Sequence, residues 1–288
     1  MIIKRYYRFD NSETLFSILD CTFNNRIRLS SNIKSYDYFE NLSFIMQSLE
    51  RNIKNELLNA NQDMNYVSFI MDENISIAMI QNFCGDDGII VEYEVEDKYL
   101  ESEESLFVKV EYKENSLKVI KDAFLNYKFN TENSYEKYNF VVNRLKYKDK
   151  GFSTENEIRF VPIFRDETGM LIYKNGKNFE KNYSNFYFEL ELPNECVLKK
   201  IYLTPKTYNR ISECLKALRD KIMEEKQNNK AIQKSFIDKY YNISKVLKTY
   251  MKFYNEVDFK YVSINSKTFD ISVNNLRDYF NLQDNIML

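Results

Sequence analysis

Strand-forming segments crowd the stretch from residue 157 to residue 203 with no helical period between them: EIRFVPI, GMLIYK, NFYFELEL and VLKKIYL. Each is rich in β-branched or aromatic residues, which suit a pleated, half-buried surface. Strands this close in sequence pair as hairpins. A doubly wound parallel sheet needs a long crossover between its strands, so this crowding argues against that architecture and for α+β. Earlier in the chain strands and helices are interleaved. IIKRYYRF opens as a strand, Asn11 or Ser12 caps a helix through Cys21, and RIRLSS, YVSFIM (66–71), GIIVEYEV (88–95) and LFVKVEY (106–112) read as further strands. Apolar residues recur at helical spacing from Tyr38 to about Ala60, from Ile75 to Phe83, and over 115–127 and 132–147. Thr204-Pro205 starts a helix to about Gln227, a second helix spans about 230–254, and the strand DFKYVSI with a short terminal helix closes the chain. The expected fold is a mixed, largely antiparallel central sheet with flanking helices and a C-terminal helical pair. Neither an internal repeat nor a low-complexity linker interrupts it, and EEKQNNK (224–230) joins two helices. Residues 1–288 therefore read as a single domain. Its core is about 1–204 plus a final strand at 257–264, with a helical elaboration at about 205–254.

Composition narrows the chemistry. Histidine is absent, which removes Ser-His-Asp triads, Cys-His dyads, imidazole acid–base catalysis and His-based metal sites. Five Gly and three Pro form neither a G-x-G-x-x-G nor a P-loop pattern. The formal net charge of −2 gives no basic block for nucleic acid. Cys21, Cys84, Cys196 and Cys214 are widely spaced with no C-x-x-C, and read as buried thiols of a cytosolic protein. The N-terminal segment MIIKRYYRFDN is too polar for a signal peptide, and no apolar run reaches the ~20 residues that span a bilayer. The expectation is a cytoplasmic protein with no membrane partner.

Carboxylates, Tyr, Ser, Lys or Arg must then carry any catalysis, and FSTENEIRFVP (152–162) concentrates them. Glu155 and Glu157 stand one residue apart at the mouth of an apolar strand. Spacing by two on an extended backbone turns both side chains to one side. A carboxylate pair behind a Gly- and Ser-containing turn can stabilise a cation or activate a nucleophile. Glu-x-Glu on a solvated strand face is the plainer alternative, and so is an ion pair between Glu157 and Arg159 on the same face. Oxygen ligation of Mg²⁺ by Glu155, Glu157 and Asp37 is a third reading, without a nuclease motif beside it, and no metal ligand is assigned. Asp86-Asp87, bracketed by Gly85 and Gly88, reads as a solvated turn.

Three blocks carry a resemblance. Tyr7-Arg8-Phe9, RLSS and Tyr36-Asp37-Tyr38-Phe39-Glu40 form the first. Ser68-Phe69, Met79-Ile80, Phe83 and Gly88-Ile89-Ile90-Val91 form the second, and Phe152, Glu155, Glu157 and Arg159 the third. In order and spacing, over roughly residues 3–205, they resemble a bacterial domain family of unknown function related to the AbiGi-type abortive phage-resistance proteins. Ile80 and Phe152 stand where that family has tryptophan, and Tyr36 and Tyr38 where it has Asn and Pro. The Glu-x-Glu-x-Arg block is retained in full.

That block is also similar to the Glu-x-Glu element of ADP-ribosyltransferases. Their pattern is an early-strand Arg, a Ser-bearing middle strand and a late Glu-x-Glu, matched here by Arg8, Ser68 and Glu155/Glu157. The resemblance implies the split sheet of those enzymes and NAD as substrate. It assigns Glu157 to a ribose hydroxyl and to the oxocarbenium ion formed as nicotinamide leaves, and Glu155 to orienting or deprotonating the acceptor. Arg8 would hold phosphate, and Ser68 would join it in the cofactor-binding set. A carboxylate beside a developing cation acts where stabilisation counts, in the transition state, and a guanidinium fork matches diphosphate oxygens. The implied function is transfer of ADP-ribose to a macromolecular target, protein or nucleic acid, by a toxin or phage-defence protein. The alternative is a non-catalytic sensor or binding module of a phage-defence system on the same scaffold. The amphipathic stripe of 230–254 suits burial on the chain's own sheet or pairing with a second copy.

Overall fold

The computed structural model describes residues 1–29, 64–100, 107–114, 146–165, 171–173, 183–184, 187–223, 234–265, 267–268 and 270–287. The elements in chain order are β1 (Ile2–Arg8), α1 (Ser12–Phe23), β2 (Arg26–Leu29), β3 (Met64–Ile70), α2 (Ile77–Met79), a π turn (Ile80–Cys84), β4 (Gly88–Val95) and α3 (Asp97–Leu100). Then come β5 (Phe107–Lys109), β6 (Glu111–Lys113), β7 (Tyr147–Asp149), a 3₁₀ helix (Lys150–Glu155), β8 (Glu157–Arg165), β9 (Leu171–Tyr173), β10 (Tyr183–Ser184) and β11 (Tyr187–Glu191). The last are β12 (Cys196–Leu203), α4 (Pro205–Met223), α5 (Lys234–Phe253), β13 (Asp258–Ile264), β14 (Ile271–Asn275) and α6 (Leu276–Met287). The fold is mixed α+β with largely antiparallel strand pairing. The helices expected over 38–60 and 115–127, most of that over 132–147, and the joint at 224–230 lie outside the described residues.

Two compact units share the chain. One gathers Arg26–Met71 and Val95–Glu195 with Met1; the other gathers Ile2–Asn25, Asp72–Glu94 and Cys196–Leu288. In the first unit β3, β8 and β5 lie side by side in that order, all neighbours antiparallel, and β9 pairs with β8. β10, β11 and β2 make a separate three-stranded sheet, and β6 and β7 a parallel pair. The apolar side of β3 and β8 is built from Val67, Phe69, Ile158 and Phe160, all buried. Phe107 of β5 completes it, its ring 6.0 Å from Phe69 and 5.1 Å from Phe160 between centroids.

In the second unit the strand order is β14-β13-β12-β4-β1. β4 is central and, apart from Glu94, buried throughout, which explains its near-continuous apolar run. Its one fully covered acid, Glu92, lies opposite Lys4 in the register and receives Tyr202 Oη at 2.7 Å and Lys200 Nζ at 2.8 Å. α1 begins where Asn11 accepts the Thr14 N–H at 2.8 Å, the cap expected from its side-chain oxygen. α4 and α5 pack on each other, the Cys214 thiol donating to the Ile237 carbonyl at 3.4 Å, and Ile243 and Leu247 of α5 are buried. The four cysteines are buried thiols.

Several elements differ from the sequence expectation. LFVKVEY divides at Val110 into β5 and β6, which join different sheets: Val110 still donates its N–H to the Glu157 carbonyl of β8 at 3.0 Å, whereas the next residue, Glu111, donates to the Lys146 carbonyl at 2.6 Å and pairs with β7. The segment 75–83 holds a helix only over Ile77–Met79 before widening into the π turn. Tyr147, expected as a helix end, starts β7. A further strand, β14, follows the expected last one and pairs antiparallel with it. Among the described residues no helix is long and apolar enough to cross a membrane.

Candidate functional site

β8 begins on the alternation Glu157-Ile158-Arg159-Phe160, so one side of the strand is charged and the other apolar. Antiparallel pairing sets Ser68 opposite Arg159 and Ile70 opposite Glu157. Opposed residues share a face, which brings Ser68, Glu157 and Arg159 together on the side away from the Phe69–Phe107–Phe160 cluster.

Glu155 reaches the same place by another route. It ends the 3₁₀ helix instead of standing on the strand, and Asn156 follows at φ +44°. The extended-strand alternation therefore does not run through 155. Asparagine tolerates the left-handed region better than most residues, and here it is pinned: its carbonyl accepts the Met71 N–H at 2.8 Å, and its side-chain amide donates to the Met71 carbonyl. The kink turns the Glu155 carboxylate inward beside Glu157.

The charges interlock. Arg159 Nε donates to Glu157 Oε1 at 2.8 Å and Arg159 Nη2 to Glu157 Oε2 at 3.2 Å, a bidentate fork from two residues along the same strand. Ser68 Oγ donates to Glu157 Oε1. Lys148, from β7, sets its Nζ 2.7 Å from Glu155 Oε2 and 3.3 Å from Glu157 Oε2. The Glu157 backbone N–H donates to Tyr112 Oη at 2.7 Å. Aromatic faces back both cations: Arg159 lies 4.9 Å from the Tyr66 ring centroid, and Lys148 lies 4.9 Å from that of Phe152. Two acids and two bases cancel, and Glu157 is only 1% exposed. Burial would raise the Glu157 pKa, but the charges of Arg159 and Lys148 and the bonds from Arg159 and Ser68 outweigh it and hold the group at about 2. Burial pushes the Tyr112 phenol up to about 12, so it stays protonated beside the cluster.

The structure thus brings together Ser68, Glu155 and Glu157 of the expected set and shows the Glu157–Arg159 ion pair that spacing allowed. Lys148 was not legible. Its segment carries a helical pattern, and its partners come to it through space. Arg8 belongs to the second unit, on β1, where its side chain is 68% exposed, 3.8 Å from Asp10 and laid against Gly85. The expected solvated turn at Asp86-Asp87 holds only for Asp86. Asp87 is buried and accepts from Tyr240 Oη at 2.8 Å and Lys239 Nζ at 2.7 Å, with Arg210 at 3.2 Å, which fastens the turn to α4 and α5. Asp37, invoked for a cation site, lies outside the described residues, and among the described residues no group of three or more His, Cys, Asp or Glu is placed to hold a metal ion. No protein-family model, curated protein or solved structure matches the chain.

Proposed function

We propose that the chain is an ADP-ribosyltransferase-like effector that cleaves NAD and passes ADP-ribose to a macromolecular acceptor, in the setting of a toxin or phage-defence protein. The observation that carries this reading is the hydrogen bond from Ser68 to Glu157, which joins two motif residues 89 positions apart on adjacent strands. In the proposed reaction the bond between the ribose anomeric carbon and the nicotinamide nitrogen breaks, and its electron pair leaves with neutral nicotinamide. The sugar is left as an oxocarbenium ion. A nucleophilic oxygen or nitrogen of the acceptor, or water, then bonds to that carbon and gives up its proton to Glu155 or to solvent. Glu157 serves by being ionised, which its surroundings secure at any physiological pH. The role of Arg8 toward phosphate rests on the resemblance alone.

One observation favours a second reading. Glu157 is closed on all sides, its carboxylate engaged by Arg159, Ser68 and Lys148. An acid so satisfied is what a non-catalytic sensor or binding module of a defence system would keep for structure. Incubation of the wild type and Glu157→Gln with labelled NAD and a cell extract separates the two. Label transferred by the wild type and lost in a Glu157→Gln protein that still melts cooperatively supports the enzyme. Neither transfer nor nicotinamide release from the wild type supports the binding module.

A further inference from the structure

The charge balance around Glu157 is more generous than that acid needs. Arg159 already gives it a bidentate partner from its own strand. Lys148 comes from a different element and favours Glu155, at 2.7 Å, over Glu157, at 3.3 Å. Its ammonium stands among two carboxylates and the Phe152 ring, with the side chain 8% exposed. Two acids and an aromatic face are a receptor for a single positive charge. The strand that delivers the lysine is short: β7 is three residues long and, among the described residues, pairs with β6, also three residues, in a two-stranded sheet.

We propose that Lys148 is a tethered blocking cation, its ammonium filling the cage of Glu155, Glu157 and Phe152 that a cationic pyridinium–ribose group enters when β7 withdraws. The identity of the incoming cation rests on the NAD-cleaving reading, whereas the cage and its occupant do not. Opening transfers nothing covalently. It exchanges one monocation for another, and Arg159 and Ser68 keep Glu157 in place throughout.

The test uses the 1-methylnicotinamide cation as probe and nicotinamide release from NAD as a second readout. The variant is Lys148→Met, which empties the cage and leaves both of its acids, Glu155 and Glu157, in place beside Arg159 with one negative charge for the probe to balance. Calorimetric titration should show Lys148→Met binding the probe about tenfold or more tightly than the wild type, the gain that removal of a competing closed state allows. Lys148→Arg, which keeps the block, should bind like the wild type. In the wild type itself, acetylation of Lys148 followed by mass spectrometry should speed up when the probe is added, because the displaced ammonium becomes exposed; this arm holds even if Lys148→Met fails to fold. Folded Lys148→Met that binds the probe no better than the wild type overturns the proposal, as does Lys148 acetylation indifferent to the probe. Tight probe binding without nicotinamide release leaves the blocking cation standing and sinks the NAD-cleaving reading. Equal nicotinamide release by the wild type and Lys148→Met does the reverse.

Discussion

Glu157 is a carboxylate that folding holds ionised. Its pKa is about 2 in the folded chain against 4.5 for the exposed group, so the folded state prefers the charged form. The stabilisation is therefore complete above about pH 4.5 and is lost as the pH falls toward 2, on the order of 3 kcal/mol in all. Urea unfolding of the wild type between about pH 5 and pH 3 should show this loss, and Glu157→Gln should show a shallower one. The partners differ in weight. Arg159→Met leaves a buried acid facing one lysine and should cost roughly 3–5 kcal/mol, whereas Ser68→Ala removes one hydrogen bond to a charge, about 1.5–3 kcal/mol. Thermal melts of the two variants give the ranking directly. At this scale the sequence was informative about neighbours along one strand. Glu157 and Arg159 were readable as a pair because a two-residue spacing fixes their side. Ser68 was readable only as a motif position, and the helix end expected near Lys148 hid the residue that closes the cluster.

Elements were legible where a single period governs them. β1, α1, β4, β12 and α4 begin or end within a residue or two of the expected places, because alternation, an Asn cap and a Thr-Pro start act locally. Legibility failed where long-range pairing decides. Nothing in LFVKVEY marks Val110 as the point where one sheet gives way to another, and nothing in 75–83 marks the change from helix to the π turn at Ile80–Cys84, which closes against Gly88. The packing there is close: a Cβ added at Gly88 would lie 2.4 Å from Cys84 Cβ and 2.8 Å from the Tyr7 carbonyl. Gly88→Ala must shift the backbone and should cost about 2–3 kcal/mol, more than ordinary overpacking of a pliant site. Asn11→Ala, by contrast, loses only a cap and should cost about 1 kcal/mol. Chemical denaturation of both variants against the wild type measures the difference.

Over the whole molecule the chain passes repeatedly between its two units, and the passages leave no mark in composition. One falls at the end of β3, between Met71 and Asp72, and another inside β4, between Glu94 and Val95. Strand residues cannot also look like a linker, which is why no boundary was readable. The second unit takes its strands from three separate stretches of sequence. A fragment of residues 196–288 lacks β1 and β4 and should fail to melt cooperatively by calorimetry, while the full chain does so. The same layout has a consequence for synthesis. β4 can find β1 as soon as both leave the ribosome, but its other neighbour, β12, is not made until residue 196. At ~5–20 residues per second the apolar edge GIIVEYEV waits roughly 5–20 s for cover. During that interval the nascent polypeptide carries a sticky ribbon, and a holding chaperone has its natural moment to act.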